Sequence, residues 1–305
     1  MKYIDIGGEK LNASEIALGC MRIANKPIKE VQELINTALE EGINFFDHAD
    51  IYGGGKSEEV FAEAIGMNPD VREKIIIQTK CGIRRGYYDF SKEHILESVD
   101  GSLRRLKTDY IDILLLHRPD TLMEPEEVAD AFSILHTTGK VRNFGVSNFH
   151  PMQIELLSKY INQRIIVNQL QLSIAHTGMI DFGFNVNMKV DQAINRDGSV
   201  LEYCRLKNIT IQAWSPFQYG FFEGTFMGSS KFRELNDKIE EIANKKGVPS
   251  IAIPIAWILR HPAKIQPIIG TTNPSRLKDI CRASEINLSR EEWYELYRSA
   301  GNKLP

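Results

Sequence analysis

The sequence predicts a (β/α)8 barrel, the TIM-barrel class of α/β folds. Eight apolar, β-rich runs recur along the 305 residues, and segments whose apolar residues have helical spacing separate them. Some runs are apolar at every position, such as Ile75-Ile76-Ile77, which suits strands covered on both faces of a parallel sheet. Barrels of this class routinely take about 250 residues or more, so we expect one domain spanning residues 1–305.

Each predicted strand is followed by a segment of helical periodicity. After the first strand, for example, apolar residues return at three- and four-residue steps from Val31 to Leu39. An open doubly wound sheet alternates in the same way, but Gly53-Gly54-Gly55 does not match its G-x-G-x-x-G fingerprint. The predicted strands are residues 16–19, 43–46, 74–80, 111–117, 141–148, 165–171, 209–214 and 265–270.

Two further features extend the barrel. Residues 3–6 and 9–11 flank Gly7-Gly8, which predicts an N-terminal β-hairpin that closes the bottom of the barrel. The intervals after the sixth and seventh strands are long, which predicts extended loops at residues 176–199 and 218–230. Since long loops on a barrel usually border the site, we expect substrate selection there, unless these loops only cover a helix face.

The composition excludes several classes of protein. There are 37 Lys+Arg against 40 Asp+Glu, so no global positive field favours nucleic acid or an anionic membrane as a partner. The four cysteines are far apart and form no metal-binding or disulfide pattern, and no long apolar run indicates a signal peptide or membrane span. We expect a cytoplasmic protein without a metal, either a monomer or a weak homo-oligomer.

Four chemically matched side chains follow consecutive predicted strands. Asp47 and Tyr52 follow the second strand, Lys80 ends the third and His117 ends the fourth. Each has a structural alternative: Asp47 could cap a helix, Tyr52 could pack in a loop, Lys80 could extend to solvent and His117 could bond a carbonyl. Because barrel chemistry lies at the carboxyl ends of the strands, we expect all four on one rim.

These four residue types suit proton transfer. A phenol is a poor acid at neutral pH unless a cation stabilises its phenolate, and Lys80 could supply that cation to Tyr52. Asp47 would keep the buried Lys80 charged, and His117 would orient a carbonyl oxygen beside the hydroxyl. Such a group polarises and protonates a carbonyl, which is half of a reduction.

The later strands offer residues that could hold a hydride donor. Ser147, Asn148 and Gln169 could bracket a carboxamide, and Trp214 provides a flat ring for stacking. Asn148 could instead be only the N-cap of a helix beginning near Pro151.

The loops after the seventh and eighth strands are the usual phosphate-binding place in barrels. Gly270-Thr271-Thr272 has small residues that expose backbone N–H groups before a helix. Arg276, in the first turn of that helix, would favour a cofactor with an additional phosphate, or would simply be an exposed arginine.

Taken together, these motifs resemble the aldo-keto reductase superfamily, in particular the bacterial YdhF-like oxidoreductases. The resemblance runs from Leu18-Gly19-Cys20-Met21 to Gly270-Thr271-Thr272-Asn273 and rests on two longer segments. The first is residues 44–53, which include His48, and the second is residues 139–149. It implies a (β/α)8 fold, NADPH as cofactor and hydride transfer to an aldehyde or ketone.

The resemblance also implies roles for individual residues. Asp47, Tyr52, Lys80 and His117 correspond to the catalytic tetrad. Gly270 replaces a lysine found in many members, and Ile280, after Asp279, replaces an asparagine, so the preference for NADPH depends chiefly on Arg276. The cofactor-binding residues implied are Cys20, Met21, Asp47, Ser147, Asn148, Gln169, Trp214, Ser215, Phe217, Gly270, Thr271, Thr272, Arg276 and Asp279.

Two other functions stay open at this point. Potassium-channel beta subunits resemble this family but act as nucleotide-sensing, partner-binding proteins with slow turnover. A barrel hydrolase or isomerase could use Asp47 and His117, but it would leave Tyr52 and Lys80 unexplained. The substrate is expected to be a small carbonyl compound, and Arg22 and Arg118 suggest an acidic substituent on it, although solvated arginines are the commoner case.

Overall fold

The computed structural model describes residues 1–302 and 304, and its centre is a closed barrel of eight parallel strands. The predicted (β/α)8 fold is confirmed, with strand ends within two residues of the predicted ones. In chain order the strands are β1 (Tyr3–Ile6), β2 (Leu11–Ser14), β3 (Ala17–Gly19), β4 (Phe45–Asp47), β5 (Ile76–Cys81), β6 (Ile83–Arg84), β7 (Tyr87–Tyr88), β8 (Ile111–Leu116), β9 (Val141–Ser147), β10 (Ile165–Gln171), β11 (Thr210–Trp214) and β12 (Gln266–Ile269).

The barrel consists of β3, β4, β5, β8, β9, β10, β11 and β12, and each strand pairs in parallel with the next. Parallel neighbours need a crossover, and helices supply it on the outside of the sheet. The helices are α1 (Ile28–Glu40), α2 (Lys56–Ile65), α3 (Pro69–Arg72), α4 (Lys92–Leu106), α5 (Pro125–Thr137), α6 (Pro151–Ser158), α7 (Gly178–Phe184), α8 (Val200–Lys207), α9 (Arg233–Lys246), α10 (Ala252–Leu259), α11 (Pro274–Cys281) and α12 (Arg290–Ser299).

Strand residues alternate between two apolar layers. Phe46 faces outward and packs with helix residues such as Val31 and Leu34, whereas Phe45 and Leu115 face inward and fill the barrel interior. This alternation follows from the two-residue period of a strand. It also explains why both faces of the strands carry apolar residues, since both faces are covered.

The N-terminal hairpin is present, but its second strand is β2, residues 11–14, instead of the predicted residues 9–11. Gly7, Gly8 and Lys10 all have positive φ, so the turn takes four residues and pairing starts at Ile6 with Leu11. Ile6 packs among the inward-facing barrel residues, which closes the bottom of the barrel as expected.

The extended loops after the sixth and seventh barrel strands are also present. The first contains α7 and a short 3-10 turn, Asp191–Ala193, and the second runs from β11 to a 3-10 turn at Ser230–Phe232. A small hairpin, β6 with β7, follows β5 and was not predicted. Among the described residues, no helix combines the length and the apolar character needed to cross a bilayer.

Candidate active site

Lys80 and Asp47 form a buried ion pair at the carboxyl end of the barrel. Lys80 Nζ lies 2.8 Å from both Oδ1 and Oδ2 of Asp47 and donates to the backbone carbonyl of His48 at 2.7 Å. Asp47 pairs with Gln78 across β4 and β5, so Lys80, two residues further on, points into the barrel from the same face. The Lys80 side chain is fully shielded from solvent, so removing either member of the pair would leave the other as an unpaired buried charge.

Tyr52 reaches this pair from the loop after β4. The segment Tyr52–Gly55 forms a 3-10 turn in which Gly53 and Gly54 have φ near +60°, where a glycine avoids the strain of a Cβ. The turn brings the Tyr52 hydroxyl oxygen to 3.2 Å from Lys80 Nζ, which donates to it. The structure therefore joins Asp47, Lys80 and Tyr52, which were predicted to share one rim, in one hydrogen-bonded group.

His117 completes the rim. It follows β8, and its ring meets the Tyr52 ring edge-on at a centroid distance of 5.9 Å. Burial, with the nearby Lys80 and Arg118 cations, holds the pKa of His117 well below its usual value, so the ring is neutral at pH 7. A neutral imidazole beside a phenol can donate a hydrogen bond to a carbonyl oxygen without adding charge.

The pKa of Tyr52 differs from the expectation that the Lys80 cation would make this phenol a stronger acid. Burial raises it above 10.0 and outweighs the lowering by Lys80, so the free protein keeps the hydroxyl protonated. For Lys80, burial alone would lower the pKa, but the Asp47 carboxylate, with Tyr52, raises it above 10.5. The site thus holds a protonated phenol next to an ammonium group whose charge the carboxylate maintains.

A chain of buried glutamines supports Asp47, and the sequence reasoning missed most of it. Gln78 donates to Asp47 at 2.6 Å and to Gln212 at 2.7 Å, and Gln169 donates to the same two acceptors at 3.0 and 3.1 Å. Gln212 in turn donates to Gln266 at 2.9 Å. The signal available in the sequence was a glutamine on each of four predicted strands, Gln78, Gln169, Gln212 and Gln266.

A second buried network lies behind the Tyr52 loop and was also missed. Glu58 on α2 accepts from Thr79 at 2.6 Å and pairs with Arg105 at 2.7 Å. Burial, with the like charge of Glu58, raises the pKa of Asp50 to about 6. The Glu58 carboxylate therefore joins α2 to both α4 and β5.

The residues expected to bracket a carboxamide form a second hydrogen-bonded group. Ser147 donates from Oγ to the Gln169 carbonyl at 3.0 Å, and Asn148 donates from its side chain to Ser147 Oγ at 2.8 Å. Trp214 donates from its indole nitrogen to Asn148 Oδ1 at 3.2 Å. The half-buried Trp214 ring is therefore held in one orientation at the end of β11.

The structure excludes helix capping as the role of Asn148. His150 is the N-cap of α6, and its ring accepts from the Met152 backbone N–H in a capping box completed by Gln153. Asn148 has φ of 61° and directs its side chain to Ser147 and Trp214 instead.

The residues expected to hold phosphates lie on two loops at the same rim. Ser215 has φ of 50°, and its carbonyl accepts from the Gln218 backbone N–H at 3.0 Å, while Phe217 packs against Phe226. Gly270, Thr271 and Thr272 link β12 to α11 and are partly or fully exposed.

The remaining predicted cofactor residues differ in exposure. Arg276 is exposed in the first turn of α11, and Asp279 is half-buried in the same helix. After β3, Cys20 is buried and its backbone N–H donates to the Asp47 carbonyl at 2.8 Å, while Met21 is exposed. Cys20 is thus shielded from solvent in this structure, whereas the Met21 side chain is free to contact a ligand.

A cavity of about 540 Å³ opens beside Trp214. Arg118, Asn148 and Phe221 line it next to the tryptophan, and the loop after β10 lines the other side, including His176 and Asp197. The long loop after β10 therefore borders the site, as its length predicted.

Comparison with known proteins identifies the family to which the chain is similar. The model of the Aldo/keto reductase family matches residues 15–299. The chain is 37% identical to the oxidoreductase YcsN of Bacillus subtilis, covering 97% of this chain and 98% of YcsN. It is 37% identical to the 6-dehydroglucose reductase of Agrobacterium fabrum, covering 97% of each chain, and 34% identical to the oxidoreductase YdhF of Escherichia coli, covering 98% of each.

Solved structures share the fold. The thermostable aldo-keto reductase Tm1743, solved with the inhibitor epalrestat, superimposes with a TM-score of 0.79 at 27% identity, covering 98% of this chain and all of that one. The aldo/keto reductase of Klebsiella pneumoniae, solved with NADP and acetate, gives a TM-score of 0.76 at 24% identity, covering 97% of this chain and 94% of that one.

Proposed function

The chain belongs to the aldo/keto reductase family, and we propose that this oxidoreductase reduces an aldehyde or a ketone to the alcohol with NADPH. The observation that carries the proposal is the group formed by Asp47, Lys80, Tyr52 and His117, in which a protonated phenol contacts a carboxylate-paired ammonium. We take residues 1–305 to act as a single catalytic domain.

Tyr52 is the proposed general acid. NADPH would supply the hydride for the carbonyl carbon, and Tyr52 would transfer its proton to the carbonyl oxygen, so that the carbonyl group would be reduced to an alcohol. The Tyr52 phenolate then regains a proton from solvent. Burial keeps Tyr52 protonated before the reaction, which means that the proton is available at neutral pH.

Lys80 and Asp47 stabilise the charge that Tyr52 gains. Lys80 already donates to the hydroxyl oxygen at 3.2 Å, so the bond strengthens as the phenolate forms. Asp47 keeps Lys80 protonated, and His117 orients the carbonyl oxygen beside Tyr52. This division of roles requires a neutral His117, which its lowered pKa provides.

NADPH fits the residues at the rim by their chemistry. Ser147, Asn148 and Gln169 combine hydroxyl and amide groups suited to a carboxamide, and the Trp214 ring is fixed by Asn148 for stacking. The loop after β11, with Ser215 and Phe217, and the loop after β12, with Gly270, Thr271 and Thr272, would hold the phosphates and adenosine. Cys20, Met21, Asp47 and Asp279 complete the set.

Arg276 supports NADPH over NADH. Its guanidinium is exposed, and its backbone N–H is already bonded to Asn273 Oδ1 at 3.0 Å, so the side chain alone is available for the 2′-phosphate. A screen of NADPH oxidation against a panel of aldehydes and ketones tests the proposed function. Turnover with at least one class of carbonyl supports it, and absence of turnover across the panel with demonstrated NADPH binding would overturn it.

A further inference from the structure

Arg118 lies at the active-site rim without an assigned role in the proton transfer. It directly follows His117 at the end of β8. The Arg118 guanidinium carbon is 5.7 Å from the centre of the Trp214 ring and 5.4 Å from that of the Phe221 ring. The two rings hold the cation at the mouth of the barrel, where it borders the cavity.

Arg118 has no acidic partner within residues 1–302. Ion pairs with N···O distances up to 4.0 Å occur at other arginines, such as Arg72 with Asp112 and Arg105 with Glu58, but none forms at Arg118. Burial lowers the pKa of its guanidinium, which reflects the loss of hydration. A partly desolvated cation without a counter-ion is unfavourable, and an anion bound there would relieve this cost.

The cavity distributes its charges unevenly. Its three carboxylates, Asp181, Asp191 and Asp197, all come from the segment between β10 and α8. Asp181 accepts from the Tyr297 hydroxyl at 2.6 Å, so it is already engaged. Arg196, the other arginine of the lining, comes from the same segment as these carboxylates, so Arg118 is the cation on the Trp214 and Phe221 side of the cavity.

We propose that Arg118 binds a carboxylate of the substrate, so that the carbonyl compound reduced at Tyr52 is an aldehyde or ketone acid. The inference rests on the proposed function, since it assigns the substrate class of the same site. Guanidinium and carboxylate are matched in geometry for two parallel hydrogen bonds, and the adjacent Trp214 and Phe221 rings limit competition by water.

Binding without turnover tests the inference directly. Calorimetric titration of the full chain, with and without NADP⁺, compares 4-carboxybenzaldehyde with its neutral amide, 4-formylbenzamide. We expect the acid to bind about 10- to 100-fold more tightly than the amide, as one charge-assisted contact provides. In Arg118→Met this ratio should fall to near one, and Arg118→Lys should keep part of it because the charge remains.

A matched variant separates a specific contact from the loss of any positive charge. Arg85→Met removes an exposed arginine of the β6–β7 hairpin that makes no ion pair within the described residues, so the acid-to-amide ratio should stay at the wild-type value. Titration of NADPH into Arg118→Met tests whether Arg118 instead contacts the cofactor phosphates. A loss of NADPH affinity equal to the loss of acid affinity would overturn the proposal.

Two further results would also overturn it. The first is equal affinity of wild type for acid and amide, and the second is an acid preference that persists in Arg118→Met. Failure of the proposed carboxylate site is distinguishable from failure of the proposed reductase activity. A preference that depends on Arg118, without NADPH oxidation by any aldehyde, would support the carboxylate site and contradict the reductase activity.

Discussion

The ammonium nitrogen of Lys80 lies 3.2 Å from the hydroxyl oxygen of Tyr52, and the same ammonium group is held by Asp47. One cation therefore contacts both the group that would lose a proton and the carboxylate that keeps the cation charged. The arrangement couples the protonation of Tyr52 to the integrity of the buried Lys80–Asp47 pair.

Tyr52→Phe should reduce kcat for carbonyl reduction by about 100- to 10,000-fold, the range typical of general acid catalysis. NADPH affinity should change little, because the variant loses only a hydroxyl. Steady-state kinetics with an aldehyde, together with a fluorescence titration of NADPH, measure both quantities. Tyr160→Phe makes the same chemical change at an exposed tyrosine and should retain activity. Near-normal turnover of Tyr52→Phe, on a substrate for which chemistry is rate-limiting, would rule out the assignment.

Lys80→Met should lower both activity and stability. It leaves the Asp47 carboxylate buried without its cation, and breaking a buried pair in this way costs about 3 to 5 kcal/mol. Urea unfolding measures the loss. The double variant Lys80→Met/Asp47→Asn removes the unpaired charge, so it should recover much of the stability while staying inactive. A double variant as unstable as the single one would contradict this account of the pair.

Gln212→Leu should destabilise the protein by about 1 to 3 kcal/mol, since it removes the acceptor shared by Gln78 and Gln169 and leaves their buried amide groups short of a partner. Both glutamines also donate to Asp47, so we expect a smaller loss of kcat than for Lys80→Met. Gln212→Glu keeps an acceptor but adds a buried charge, and it should be less stable than Gln212→Leu at neutral pH. Unfolding curves that superimpose on those of wild type for Gln212→Leu would show that the glutamine chain contributes nothing.

Arg276→Ala should weaken NADPH binding by about one to two powers of ten while leaving NADH binding nearly unchanged, since a charge-assisted contact is worth about 1.5 to 3 kcal/mol. Lys278→Ala, which removes another exposed cation of α11, serves as the control. Raising the ionic strength should narrow the preference of wild type for NADPH. Equal losses for both cofactors would mean that Arg276 supports the loop instead of binding the 2′-phosphate.

Asp50→Asn should stabilise the protein at pH 7 by about 2 to 3 kcal/mol. Because the folded-state pKa of Asp50 is raised to about 6, ionisation costs stability, and this cost is complete above pH 6 and absent below the ordinary pKa of 3.8. Wild type should therefore gain stability relative to Asp50→Asn as the pH falls from 6 to 4. Unfolding of both proteins across this range measures the difference, and a difference independent of pH would contradict the origin we give it.

Much of the fold was readable from the sequence because its signals are local. A run such as Ile113-Leu114-Leu115-Leu116 is apolar on both faces, which by itself indicates a covered parallel strand, and the polar residue after each run marks the strand end. Knowing that strand ends meet at one rim was sufficient to bring Asp47, Tyr52, Lys80 and His117 together. The start of β2 was misplaced because the positive φ of Lys10, a non-glycine residue, extends the turn beyond Gly7-Gly8.

The sequence by itself determined the order of strands and helices and the chemical types at the rim, since both depend on residues close together in the chain. Only the tertiary structure decided that Gln78 and Gln212, 134 residues apart, share a hydrogen bond, and that burial outweighs Lys80 in setting the pKa of Tyr52. It also decided that Arg118 lies over two aromatic rings without an acidic partner among the residues that the structure describes. These properties depend on which inward side chains meet across the barrel and how much water they exclude. That is decided by the closure and register of all eight strands, which no short segment encodes.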